Sequence, residues 1–354
     1  MKTGRDLRSD IGTGPKPAPS RRWVAVVCSA ALAVSTSMIL FIQTAPNVAA
    51  QTAPPYFLSN YVTSLNYSNW DSYGCQQVHY STGEGVSQIS LILDFGTPWD
   101  TGGEYGTVLP QSGIFAQWDS GGQSGIRFLI ANFLLGYWNC HTSKSPSIIL
   151  VIGDANVYTY SNNTNAYWMG QVVDAVDGWL QSNGWSGLEY AVAGSDTETE
   201  WASYSPTVAY LQTVYDNEGA AWIYDFGDAG GCSTSSYSSG GSCNNGWTQS
   251  QVLSISWGEP WADPLPEIYN QLDAQAEQWY EISLGSLAAG EGPLAFDAEL
   301  TQYTACEQVG GCTGVDNTPA VGWAELYDIM YNNANTRPGV VNVLNSSDDI
   351  RYLG

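Results

Sequence analysis

"GLEYAVAGSDTETEW", residues Gly187 to Trp201, runs apolar through its first half and then sets acids at every second position: Asp196, Glu198 and Glu200. The apolar half reads as a buried strand. The alternation after it puts three carboxylates on one side of an extended chain, with Thr197 and Thr199 on the other. This unit recurs along the chain. "VSQISLILDFG" (86–96), "SIILVIGDAN" (147–156), "AAWIYDFGD" (220–228), "DPLPEIY" (263–269) and "GPLAFDAEL" (292–300) are also short apolar runs that carry acids. Longer amphipathic stretches separate them: "GIRFLIANFLLGYW" (125–138), "NAYWMGQVVDAVDGWLQ" (165–181), "SPTVAYLQTVY" (205–215), "TQSQVLSIS" (248–256), "LDAQAEQWYEISLGSLA" (272–288) and "VGWAELYDIMYNNA" (321–334). "GVVNVL" (339–344) reads as a seventh and last strand. Strands alternating with helices predict a parallel sheet. Seven of them predict an α/β fold of (β/α)8-barrel type, with an eighth strand missing or hidden, as a single domain over residues 51–354. A doubly wound open sheet is the alternative assembly of the same units.

The N-terminus "SRRWVAVVCSAALAVSTSMILFIQTAPNVAAQ" joins a basic start to an apolar run and a small-residue end. Residues 1–50 are therefore expected to be a secretory signal cleaved after Val48-Ala49-Ala50, and Arg21-Arg22 also suits a twin-arginine signal. An uncleaved anchor over 24–42 is the alternative, and no later segment is apolar enough to span a bilayer. The 354 residues carry 34 Asp+Glu against 10 Lys+Arg, a formal charge of −24. Six of those ten bases lie in the first 50 residues with only Asp6 and Asp10, so the exported chain is more acidic still, at about −28. Such a surface repels nucleic acid and anionic headgroups. A neutral or cationic partner is expected, and a monomer.

Once Cys28 leaves with the signal, six cysteines remain, an even number that in an exported chain points to disulfides. Cys232/Cys243 and Cys306/Cys312 bracket short loops and form natural local pairs, which leaves Cys75 with Cys140. A zinc site is not expected, because no CxxC occurs and His79 and His141 lie far apart.

In a parallel barrel every strand C-terminus opens on one face, where barrel enzymes carry their chemistry. Asp94, Asp154, Asp196, Glu198, Asp225, Asp228, Asp297 and Glu299 all stand at ends of expected strands. Neighbouring carboxylates raise one another's pKa, and a protonated acid beside an ionised one is the equipment for cleaving a glycosidic bond. Glu198 is the expected general acid, Asp196 its electrostatic partner, and Asp297 or Glu299 the opposing carboxylate. Asp94, Asp154, Asp225 and Asp228 are expected to line the substrate site. Trp201, Trp257 and Trp261 are expected as flat platforms for sugar rings, with Glu259 beside them and Trp99 also just beyond a strand. No cofactor is expected; calcium is the ion that carboxylate oxygens would suit, although no EF-hand loop is present. A serine nucleophile is disfavoured, since no GxSxG occurs.

The combination "AGSDTETEW", "CNNGW", "PLPEIYNQ", "QWYEIS" and "LTQYTAC" resembles secreted actinobacterial proteins of unknown function, over most of residues 60–345. More remotely, a strand closing in D-x-E resembles glycoside-hydrolase-like barrels. Asp196-Thr197-Glu198-Thr199-Glu200 is similar to the D-x-[DE]-x-E tail of the chitinase-type strand motif, with Thr where that family has apolar residues. The resemblance implies a secreted barrel acting on a neutral polysaccharide or cell-wall glycan. The alternative is a barrel that binds such a glycan without cleaving it.

Overall fold

Extended and helical segments alternate as expected in a computed structural model that describes residues 52–155, 163–219, 222–270 and 272–353. The signal segment, its cleavage site, the twin-arginine pair and the possible anchor lie outside the described residues. The first strand, β1 (Tyr56–Val62), leads through α1 (Trp70–Ser81) to β2 (Gln88–Asp94). A small antiparallel sheet follows, made of β3 (Thr97–Asp100), β4 (Tyr105–Val108) and β5 (Phe115–Gln117), and then α2 (Gly125–Cys140). The alternation continues with β6 (Ser147–Ala155), α3 (Asn163–Asn183), β7 (Glu189–Asp196), α4 (Tyr204–Glu218) and β8 (Ile223–Asp225). Next come α5 (Gln249–Leu253) with a π-turn over Ser254–Gly258, β9 (Ala262–Pro264), α6 (Ala274–Ala289) and β10 (Leu300–Thr301). The chain finishes with α7 (Tyr303–Val309), α8 (Pro319–Asn332) and β11 (Ser347–Leu353).

Eight strands form one all-parallel sheet in the order β10-β11-β1-β2-β6-β7-β8-β9. The two edges are drawn together by a parallel bridge between Glu267 and Leu300, where the Leu300 amide donates to Pro266 O (2.9 Å) and the Ile268 amide to Leu300 O (2.9 Å). Tyr61 is level with Asp94, Gly153, Gly194, Tyr224 and Asp263. Glu267, four residues beyond Asp263, is level with Leu300, Asp348 and Phe57, four residues short of Tyr61. One circuit therefore displaces the chain by eight residues, the shear of (β/α)8 barrels. The sheet is a barrel of that type with a thin seam.

Three strands differ from the sequence reading, one of them β10, which begins at Leu300 where the expected run 292–300 ends. The hidden strand is β1, whose "YFLSNYV" buries Ser59 and Asn60 among its apolar residues. The last strand is "SDDIRYL", not "GVVNVL", which forms turns around buried Val340 and Leu344. Asp348 and Asp349 are buried there because Ser59 Oγ donates to the first (3.1 Å) and Thr301 Oγ1 to the second (2.9 Å).

A large core fills the layer between strands and helices, and a second fills the barrel with Ile92, Val151, Val192, Tyr224, Phe226, Leu265, Leu300 and Ile350. Gly153 and Gly194 face inward because the Phe226 ring occupies the space their side chains would need. A Cβ on Gly194 would lie 2.3 Å from Val151 Cγ1, and one on Gly153 would lie 2.7 Å from Phe226 Cζ. We expect Gly194→Ala to destabilise the fold by about 1–3 kcal/mol through overpacking, read as a lower urea midpoint at unchanged slope.

The disulfides pair Cys75 with Cys140, Cys232 with Cys243, and Cys306 with Cys312, as the sequence predicted. The first ties α1 to α2, and the other two close loops. Among the described residues no helix is long and apolar enough to cross a membrane.

Candidate functional site

Shear fixes which side chains share a height inside the barrel. Moving one strand round along the hydrogen bonds drops the level by one residue, so Asp94, Asp196, Glu267 and Ile350 stand at one height. All four come from alternate strands, which is how barrel interiors are layered. They form the uppermost such layer, at the mouth where the strand C-termini open, and three of its four members are carboxylic acids. Asp94 closes β2 and Asp196 closes β7; Glu267 sits in the extension of β9 that makes the seam. Each is buried, Asp94 completely.

Above this layer the turn after β7 raises Glu198, which is only half-buried. Asp196, Glu198 and Glu267 each offer a carboxylate oxygen within 4.8 Å of the other two. Trp201 Nε1 donates to Glu198 Oε2, and the Tyr269 hydroxyl donates to Glu267 Oε1 at 2.5 Å. The Gly96 amide donates to Asp94 Oδ1 at 2.6 Å, while Asp94 Oδ2 has no hydrogen-bond partner among the described residues. Asp228, in the loop after β8, accepts from the Gly230 amide at 2.9 Å and feels the charges of Glu198 and Glu200. Tyr61 completes the surround, its hydroxyl accepting from Gln302 Nε2 at 2.7 Å.

These acids are desolvated and act on one another. Burial, then the charges of Glu267, Glu198, Asp94 and Asp228, hold the Asp196 carboxyl well above the usual range. Burial and the neighbouring Glu198 and Asp228 do the same to Glu267. Burial pushes Asp94 up to about 7, and burial with Glu200 and Glu198 nearby brings Asp228 to about 7. The cluster therefore holds protons near neutral pH. The same oxygens are a donor set for a hard divalent cation, with Asp196, Glu198 and Glu267 as its ligands.

Compared with known proteins, the chain matches no family model and no curated sequence. The site thus rests on its own geometry.

Of the residues singled out in the sequence, Asp94, Asp196, Glu198 and Asp228 meet here, with Trp201 as the donor to Glu198 and not a free platform. The carboxylate that meets Asp196 and Glu198 from another strand is Glu267. Asp297 and Glu299 do not fill that place, because the strand begins at Leu300 where the expected one ended, so both precede it instead of closing it. Asp297 accepts from the Tyr224 hydroxyl (2.6 Å), lower in the barrel. Glu299, adjacent to inward-facing Leu300, is fully buried on the helix side of the sheet and accepts from Ser347 Oγ at 2.5 Å.

Asp154 and Asp225 also turn away from the barrel interior, since Val151 and Gly153 face inward on β6 and Tyr224 on β8. Asp154 accepts from the Tyr210 hydroxyl (2.5 Å) and Ser195 Oγ (2.8 Å), and Asp225 from Ser256 Oγ (2.5 Å), bolting strands to helices. Burial raises both to about 7. Trp257, Glu259 and Trp261 precede β9 and lie at the opposite end of the barrel. Trp261 is core, its Nε1 donating to Gln212 Oε1 (3.1 Å), Trp257 packs partly buried on the core, and Glu259 accepts from Ser254 Oγ (3.2 Å). Sequence reasoning gave no role to Glu267, although it stands in the acid- and Trp-rich stretch "ISWGEPWADPLPEIY", nor to Tyr269 and Tyr61. The first two stand in "PLPEIY", where the acid closing the run was the available signal.

Proposed function

We propose that this protein is a secreted hydrolase that cleaves glycosidic bonds of a neutral polysaccharide or cell-wall glycan by carboxylate acid/base catalysis. The observation that carries the reading is the meeting of Asp196, Glu198 and Glu267 oxygens within 4.8 Å at the C-terminal mouth of a (β/α)8-type barrel. The D-x-E close of β7 resembles glycoside-hydrolase-like barrels, and three disulfides suit an oxidising, extracellular setting.

In the proposed reaction Glu198, the most exposed of the three, gives its proton to the glycosidic oxygen as the bond to the anomeric carbon breaks. Glu267, oriented by Tyr269 and held above the usual carboxyl range by its burial, compensates the positive charge that develops on the sugar once it has given up its own proton. Asp196 lies beneath both, and by exchanging its proton it adjusts the charge of the pair. Carboxyl groups about 5–5.5 Å apart go with retention of configuration, whereas inversion needs about 6.5–9.5 Å to admit a water. Oxygens of Glu198 and Glu267 that lie within 4.8 Å of each other leave too little room for the water of the inverting arrangement, which favours retention. Glu198 then takes a proton from a water whose oxygen bonds to the anomeric carbon on the face the leaving group has vacated, while Glu267 shields the other face, so the acid is restored and the configuration is retained.

The test is to incubate the purified mature protein with a panel of neutral glycans and cell-wall polymers and to follow new reducing ends. Release of product with retained anomeric configuration is expected. Binding to a glycan with no product from any member would replace the hydrolase reading by the non-catalytic binding one.

A further inference from the structure

Most described tryptophans are packed into the core or partly covered; the two that are exposed, Trp99 at 55 % and Trp168 at 37 %, belong to neighbouring segments. Single exposed aromatics need no explanation, but a group of them does. Trp99 lies on β3, within the connection from β2 to α2, and Trp168 lies in the second turn of α3, the element that follows β6 in the chain. Both segments leave strand C-termini, so both are at the mouth that holds the acid cluster.

The two segments are held together by one side chain. Asn165, buried in the first turn of α3, donates through Nδ2 to Trp99 O (2.9 Å) and Gly106 O (2.9 Å) and accepts from Trp118 Nε1 (2.5 Å). Next to it Tyr167, 41 % exposed, meets Trp168 edge to face with ring centroids 5.7 Å apart. The residue directly across from Trp99 is Gly106, which gives the indole no cross-strand cover. A Cβ there would lie 2.0 Å from Ala116 O, so the backbone of the small sheet excludes any larger residue. Three aromatic side chains on two clamped elements are thus left to solvent beside the mouth of the barrel.

We infer that Trp99, Tyr167 and Trp168 form a binding rim for a neutral glycan chain, which they receive by stacking on the C–H faces of its sugar rings. Flat, rigid aromatics lose little conformational entropy on binding and offer an apolar face, while the sugar hydroxyls stay in water. The charge balance of −24 and the nearby Asp100 and Glu104 disfavour anionic polymers. The rim deepens the hydrolase reading by giving the substrate an approach to Glu198, but its test measures binding and needs no turnover.

The experiment compares the wild-type chain with Trp99→Ala, Trp168→Ala and the double variant. Each is mixed with insoluble β-glucan, chitin and mannan, and with a cationic polymer; the bound fraction is read together with tryptophan fluorescence. All variants should keep the wild-type melting temperature, since both rings are exposed. The wild type is expected to bind at least one neutral glycan, each single variant to lose about tenfold in affinity, and the double variant to lose more than their individual effects. Undiminished binding by the double variant, binding only to the cationic polymer, or no wild-type binding to any neutral glycan would overturn the inference.

Discussion

Glu198→Gln should lower turnover on a cleaved glycan by about 10² to 10⁴-fold, the usual worth of a general acid, while leaving the fold intact. Gln keeps the shape of the side chain and can still accept from Trp201 Nε1, so what disappears is the titrating proton. The half-buried position of Glu198 makes a folding defect a poor explanation for such a loss. Glu267→Gln should also cost turnover heavily. Glu200→Gln should cost little, because Glu200 points to the loop after β8, where Asn244 Nδ2 donates to it. Steady-state kinetics of the three variants with matched circular dichroism decides the assignment. Full activity in Glu198→Gln would remove it from the mechanism.

Stability should fall as pH rises from about 4 to about 9, and by a large amount. Burial raises Asp94, Asp154, Asp225 and Asp228 to about 7 and Glu189 to about 9. Glu218, Glu299 and Asp348 are also held well above their usual values, by burial first. In the unfolded chain these groups titrate near 4. Between about pH 4 and each raised value the folded state holds protons that the unfolded state has lost, so unfolding releases protons and stability declines with pH. The stabilisation is complete below about pH 4. It is lost through about pH 7 for the four aspartates and through about pH 9 for Glu189. One net proton held across three pH units is worth about 4 kcal/mol, or roughly 10 °C in melting temperature for a domain of this size.

Thermal unfolding from pH 4 to 9 therefore should show its highest midpoint at the acid end. Glu189→Gln should flatten the curve between pH 7 and 9, since both Glu189 carboxylate oxygens are buried without a hydrogen-bond partner among the described residues. A midpoint that climbs from pH 5 to pH 8 would contradict the assignment of these acids as buried and protonated.

The sequence by itself determined the class of fold, because turn residues cut the chain into apolar runs and amphipathic stretches of strand and helix length. It determined the disulfide pairing, because two cysteine pairs bracket short loops and only one partner remained for the third. It also determined that Asp196 and Glu198 stand at a strand end, since alternating acids after an apolar run have no other reading in that fold. The strands built from polar residues escaped it: β1 and β11 bury Ser59, Asn60, Asp348 and Asp349 among their own hydrogen bonds, and no apolar run announces them. Which acids face the barrel interior was decided by the tertiary structure alone. Parallel barrel strands are buried on both faces, so β6 reads "SIILVIGDA" without alternation, and nothing in it says that Asp154 turns outward while Asp94 and Asp196 turn inward. The pairing of Glu198 with Glu267 depended on the shear as well. Eight residues of stagger bring the seam of β9 level with the ends of β2 and β7, and a stagger of that kind exists only once the sheet has curled and met itself.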